Sequence, residues 1–127
     1  MAFLGIDYGS KRVGIAYSDE TGKVAFPLAI LPNNKSLLPS VVGIIADKKI
    51  EKIILGESNN LDGTPNAIMK DIEIFKKNLS EATGIEIHFE PEFWTSFQAE
   101  RWQGKTELVD ASAAAIILQS FLDRNIK

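Results

Sequence analysis

Cysteine is absent from this chain, which excludes disulfide frameworks, thiolate metal sites and thiol nucleophiles. Histidine occurs once, at His88, so this chain alone builds no multi-histidine zinc site. No apolar run approaches the roughly 18 residues that a membrane-spanning helix needs. The opening Met1-Ala2-Phe3-Leu4-Gly5-Ile6-Asp7 carries neither a basic leader nor a cleavage site, so no signal peptide is read and a cytoplasmic domain is expected. A basic excess is missing too: 14 Lys and Arg stand against 17 Asp and Glu, a net charge of −3. A protein coating nucleic acid non-specifically has the opposite balance. A nuclease is not excluded, because one that holds cations with carboxylates carries a negative centre of its own. Lys48, Lys49, Lys52, Lys70, Lys76 and Lys77 gather in the middle third and read as solvated helix faces ahead of a binding stripe.

What is present is ordinary for a single globular domain spanning 1–127, with 45% hydrophobic and 24% charged residues. Three short stretches rich in Val, Ile and Phe open the chain: Phe3–Asp7, Val13–Ser18 and Val24–Leu31. Asp19-Glu20-Thr21-Gly22 supplies a hairpin turn between the second and third, so the three form an antiparallel meander. Pro32-Asn33-Asn34 stops the third strand, and Ser36 is placed to cap a helix. Leu37, Leu38, Val41, Val42, Ile44 and Ile45 recur on one face of that helix. A fourth strand, Ile50–Leu55, leads into the polar loop 56–63. Thr64-Pro65 then starts a second helix with Ile68, Met69, Ile72, Phe75 and Leu79 on one side, ended by Thr83-Gly84. The fifth strand, Ile85–Glu90, turns Ile85, Ile87 and Phe89 inward and leaves His88 facing solvent. Thr95 with Gln98 resembles a capping box for a short helix, and Asp110 opens a last helix rich in small residues, Ala111–Leu122. The order β-β-β-α-β-α-β-α predicts an α/β fold with a mixed five-stranded sheet and helices on both faces.

In such a sheet, sites gather at the carboxyl ends of adjacent strands. Asp7 ends the first strand, Glu57 follows the fourth, Glu92 follows the fifth and Asp110 begins the last helix. This topology aims all four at one rim. Carboxylates crowded together repel one another unless cations neutralise them, and an all-oxygen ligand set suits Mg²⁺ or Mn²⁺. Paired divalent cations are the common device for phosphodiester hydrolysis. Lys11 and Arg12, in the turn after Asp7, are placed to meet a substrate phosphate or to blunt a hairpin in solvent. Each acid has a structural alternative: turn chemistry for Asp7, a helix cap for Asp110, a solvated loop for Glu57. Trp94, Phe97 and Trp102 near the rim are read as the core of a short helix ahead of a platform for unpaired bases. Thr95 is a capping residue first and a substrate contact second.

The run Phe3-Leu4-Gly5-Ile6-Asp7-Tyr8-Gly9-Ser10-Lys11-Arg12-Val13-Gly14-Ile15-Ala16-Tyr17-Ser18-Asp19 closely resembles the opening of the YqgF/RuvX family. The tail Val109-Asp110-Ala111-Ser112-Ala113-Ala114-Ala115-Ile116-Ile117-Leu118-Gln119-Ser120-Phe121-Leu122 resembles it as well, and Pro27-Leu28, Leu61-Asp62-Gly63 and Thr95-Ser96 fall at the family's intervals. These are ribonuclease H-like proteins described as Holliday junction resolvases and as nucleases maturing the small-subunit ribosomal RNA precursor. The resemblance spans nearly the whole chain and implies a ribonuclease H-like fold with Mg²⁺- or Mn²⁺-dependent cleavage.

Two motifs depart from the family. Its Gly-Leu-Pro after the fourth strand is here Gly56-Glu57-Ser58, and its Asp-Glu-Arg is here Pro91-Glu92-Phe93. Glu92 is kept, while a flanking carboxylate and an arginine, a bidentate phosphate clamp, are gone. Glu57 and Glu90 are candidates to make up the lost carboxylate. The expected activity is therefore endonucleolytic cleavage of structured RNA or branched DNA, with Asp7, Glu57, Glu92 and Asp110 as ligands. The protein is expected as a monomer or, for cutting two strands of a junction, a symmetric homodimer. The alternatives are a degenerate module that grips ribosomal precursor RNA without cutting it, and a nucleotide-binding phosphotransferase. The last rests on Gly5-Ile6-Asp7-Tyr8-Gly9-Ser10, which also looks like the first phosphate loop of the actin, chaperone and sugar-kinase ATPases.

Overall fold

The computed structural model describes residues 2–57, 68–91 and 109–125. In chain order these form β1 (Ala2–Tyr8), β2 (Arg12–Ser18), β3 (Ala25–Pro32), α1 (Leu37–Lys48), β4 (Ile50–Glu57), α2 (Met69–Thr83), β5 (Glu86–Pro91) and α3 (Val109–Asn125). One sheet contains all five strands in the order β3-β2-β1-β4-β5. The first three strands pair antiparallel, β4 lies parallel to β1, and β5 lies parallel to β4. This is the expected mixed sheet.

The 19–22 turn forms as its sequence requires. Gly22 N–H donates to the Asp19 carbonyl at 3.0 Å, and Gly22 sits at φ 69°, the left-handed region that costs a glycine nothing. The Asp19 Oδ1 accepts from the Thr21 hydroxyl at 2.7 Å and from Gly22 N–H at 3.1 Å. These bonds, the one from Thr21 foremost, hold the Asp19 carboxyl below its ordinary range. Strand β3 starts one residue later than its apolar run, leaving Val24 46% exposed. At the start of α1 the expected cap moves. Ser36 already has helical backbone angles and makes no side-chain cap. Asn34 does that work: its Oδ1 accepts from Ser36 N–H at 2.8 Å and its carbonyl from Leu37 N–H at 3.0 Å. An Asx side chain competes well for amides at a chain reversal. Thr64-Pro65 and the Thr95–Gln98 capping box lie outside the described residues.

Two cores sit on opposite faces of the sheet. Against α1 and α2 lie large aliphatic side chains: Leu4 and Ile6 of β1, Val13 and Ile15 of β2, and Ile53 and Leu55 of β4 meet Val41, Ile45, Ile72, Phe75 and Leu79. Against α3 the sheet presents small residues, Ala16 and Ala25, with Ile54, beneath Ala114, Ala115, Ile117, Leu118 and Leu122. A Cβ on Gly5 would stand 2.7 Å from the Leu118 Cβ and 2.9 Å from the Ala114 carbonyl oxygen. The helix backbone therefore rides directly on β1 only because position 5 has no side chain. Gln119 of α3 also ties down the β2–β3 hairpin, accepting from Ala25 N–H and donating to the Lys23 carbonyl, both at 2.9 Å. Among the described residues, no helix is long and apolar enough to cross a membrane.

Candidate active site

Strand alternation assigns each rim residue to a face. In β1, Leu4 and Ile6 point to the α1/α2 core. Phe3 and Gly5 meet α3, Phe3 through its ring 6.0 Å from that of Phe121. Asp7 continues the Phe3–Gly5 series and is half-buried on the α3 face, one residue before the strand ends. Following α3 backwards, Phe121 lies over Phe3 and Leu118 and Ala114 over Gly5. The helix thus runs antiparallel to β1, and its first turn reaches the end of the strand where Asp7 stands. Position 110 is the second residue of that turn, since α3 begins at Val109. Asp7 and Asp110, 103 positions apart in the sequence, are brought to one end of one face.

The register extends this row. Ile6 pairs with Leu55, so positions 7 and 56 come level one residue further on, and Gly56 pairs with Glu90. Asp7, Gly56 and Glu90 therefore form a cross-strand row, with the backbones of 7 and 90 roughly 10 Å apart at the usual strand spacing. All three are on the α3 side: a Cβ on Gly56 would meet Ile117 Cδ1 at 2.7 Å. Position 57 is the last of β4 and opposes Pro91. Backbone placement thus sets positions 7 and 110 at one end of the sheet. Glu92 and Thr95, with Trp94, Phe97 and Trp102, lie outside the described residues.

Glu90 has a different task from that of a free carboxylate. It is fully buried. The Ser120 hydroxyl donates to its Oε2 at 2.8 Å, and Arg124 pairs with its Oε1. Such a group is tolerable inside only when ionically and hydrogen-bond paired. Its signal in the sequence is faint: a carboxylate on the face opposite Ile87 and Phe89, and a Ser and an Arg four apart on one stripe of the last helix. His88 alternates outward as expected, its side chain 38% exposed. Its ring lies 5.7 Å from that of Phe121 of α3, with Nε2 2.6 Å from Glu86 Oε2. The outward position on β5 therefore meets both solvent and the flank of α3.

Lys11 and Arg12 are exposed at the β1–β2 turn, at the same end of the sheet as Asp7. That turn is fixed by Asn33, whose side-chain amide donates to the Gly9 carbonyl at 2.7 Å and whose N–H donates to the Lys11 carbonyl at 2.9 Å. Gly9 is required there, because a Cβ would stand 2.5 Å from the Arg12 carbonyl oxygen. An open cavity of about 290 Å³ lies behind Tyr8, lined by Asn33, Lys35, Leu38, Asp71 and Asn78. It belongs to the α1/α2 side, so cavity and Asp7 carboxylate are on opposite faces.

The donor set at the rim is carboxylate oxygen, which suits a hard divalent cation. The shared placement of positions 7 and 110 fits one. Among the described residues, no three ligating side chains cluster by themselves.

Among the described residues, a mixed five-stranded sheet in this order, with two helices on one face and a third crossing the other, is a ribonuclease H-like fold. Thermus thermophilus RuvC, solved with a Holliday junction substrate, superposes with a TM-score of 0.64 at 13% identity over 98% of this chain and 94% of that one. The fowlpox virus resolvase, solved with junction DNA, gives 0.61 at 14% over the whole of both chains. A hexokinase of the ROK class from Thermus thermophilus shares the fold at 0.52, but this chain covers only 39% of it.

The chain belongs to the RuvX family, described as Holliday junction resolvase, whose family model matches residues 1–124. A Ruegeria relative is 36% identical over 97% of this chain and 85% of its own length. A Streptococcus mutans relative is 31% identical over 98% and 99%. Both are provisionally named pre-16S rRNA nuclease.

Proposed function

We propose that this protein is an endonuclease that hydrolyses phosphodiester bonds in structured nucleic acid, as in 5′-end processing of pre-16S rRNA or resolution of Holliday junctions. The observation that carries the reading is the convergence of Asp7 and the first turn of α3 on one end of one sheet face. Asp7, Glu92 and Asp110 would hold Mg²⁺ or Mn²⁺, with Glu57 as a fourth ligand from the end of β4. A divalent cation bound there supplies the positive charge that favours deprotonated water and stabilises the departing 3′ oxygen. The chain's own contribution is placement. The strand end and the helix fix the carboxylates from two rigid elements, and the Asn33-braced turn holds Lys11 and Arg12 beside them for a phosphate, with Thr95 as a further contact.

A second reading keeps the nucleic acid and drops the cut: a module that grips precursor RNA. Pro91 and Phe93, standing where relatives of this family carry Asp and Arg, favour it. Cleavage of labelled ribosomal precursor RNA and of a four-way DNA junction in Mn²⁺ separates the two. The nuclease reading expects wild type to cut and Asp7→Asn to lose at least about a hundredfold. Glu57→Gln decides the fourth ligand: silence assigns it to the site, wild-type cutting removes it. RNA binding without cleavage by wild type overturns the nuclease.

A further inference from the structure

The open cavity of about 290 Å³ behind Tyr8 is on the other face from the Asp7 carboxylate, yet at the same end of the sheet. Tyr8 follows Asp7 on β1 and turns to the α1/α2 side, where its ring lies 5.2 Å from that of Phe75. Strands β1 and β3 run the same way, each being antiparallel to β2, so residues 33–35 just past β3 stand at that end too. Asn33 joins the cavity to the β1–β2 turn. It lines the cavity, while its N–H and side-chain amide hold the Lys11 and Gly9 carbonyls. Cavity and turn, with the exposed Lys11 and Arg12, are therefore one hydrogen-bonded unit.

The lining combines ring faces and hydrogen-bonding edges. Tyr8 and the buried Phe75 and Leu37 give an apolar base, and polar groups come from two elements: Asp71 and Asn78 of α2, Lys35 of the loop before α1. A flat ring with a polar edge suits such a site, stacking on the aromatic surface and bonding at its rim. A bare phosphate does not, because Asp71 repels it. An ionised carboxylate only accepts hydrogen bonds, so the edge that meets Asp71 must donate. Adenine, cytosine and guanine do so through an exocyclic amino group, whereas uracil and thymine set carbonyls on both sides of a single N–H.

We propose that this cavity is a subsite for an unpaired nucleobase carrying an exocyclic amino group, on a strand whose phosphates lie along Lys11 and Arg12. Tyr8 is the stacking surface, Asp71 accepts from the amino group, and Lys35 meets the phosphate of the same nucleotide. A paired base is excluded, since its edge is already bonded. The inference rests on nucleic-acid binding, which both readings above share, and not on cleavage.

Fluorescence anisotropy in EDTA tests it, using short labelled oligocytidine and oligouridine strands with ribose or deoxyribose, and circular dichroism to show that each variant is folded. Wild type is expected to prefer oligocytidine to oligouridine by about tenfold. Asp71→Ala should erase that preference, a ratio that cancels the general effect of removing a charge. Tyr8→Leu should weaken both single strands by about tenfold, and annealing oligocytidine to its complement should abolish this dependence on Tyr8. Folded variants that match wild type in ratio and affinity overturn the subsite and leave nucleic-acid binding standing. Effects confined to ribose strands place the contact on the sugar and overturn the base assignment. Cytidine monophosphate binding as tightly as the strand overturns the strand as ligand. Wild type that binds neither single strand, duplex nor four-way junction overturns the subsite and both readings together.

Discussion

On the side of α1 and α2, β1 presents Leu4 and Ile6; on the side of α3 it presents Phe3, Gly5 and Asp7. The first face is filled by volume, with large apolar side chains from five elements interlocking in one core. The second is filled by closeness. Gly5, Ala16, Ala25 and Gly56 let a helix backbone approach the sheet, and polar groups occur there in bonded sets: Glu90 with Ser120 and Arg124, Gln119 with the hairpin. The thin face carries the candidate site, and the thick face carries most of the apolar burial.

If this division is correct, deleting volume should hurt most on the thick face. Leu4→Ala, at a fully buried position, is expected to lower unfolding free energy by about 2–5 kcal/mol, measured by urea denaturation, with Mn²⁺ affinity of the remaining folded protein little changed. Adding volume should hurt the thin face. Gly5→Ala is expected to cost about 1–3 kcal/mol, because the Leu118 Cβ and the Ala114 carbonyl must both move. Its distinguishing sign is a loss of Mn²⁺ binding out of proportion to stability, since α3 is pushed off β1. Equal losses of metal binding in Leu4→Ala and Gly5→Ala would break the comparison.

Smaller effects sharpen it. Gln119→Ala removes the bonds to Ala25 and Lys23 and is expected to cost about 1–2 kcal/mol, seen as faster amide exchange in the 18–25 hairpin. The smallest effect lies at Glu86 on β5, whose carboxyl is held below its ordinary value by the His88 ring 2.6 Å away and by Lys52 at 3.6 Å. A carboxyl lowered on folding stabilises the protein above its unfolded pKa, and that contribution is lost as pH falls through the folded value. The difference in melting temperature between wild type and Glu86→Gln should accordingly be present at neutral pH and fade on acidification below about pH 4.5.

The elements that carry the candidate residues were legible from local pattern. Asp7 near the end of an apolar strand, and Asp110 in the first turn of a helix of alanines, are visible because strand alternation and helix periodicity involve near neighbours in sequence. Glu90 shows the limit. Beside Ile85, Ile87 and Phe89 it reads as a spare ligand, yet its partners stand 30 and 34 positions away. The neighbour of His88 was equally hidden: alternation set it outward, and only the packing of α3 put the Phe121 ring 5.7 Å from it.

The sequence by itself determined the strand and helix order, the sheet that follows from it and the residues at the strand ends, because short-range sterics and hydrophobic period set these. Only the tertiary structure decided the sides. It put Asp7 on the face that α3 covers and buried Glu90 against Ser120 and Arg124. A strand's alternation fixes which residues share a face, while the packing of distant helices decides what each face becomes.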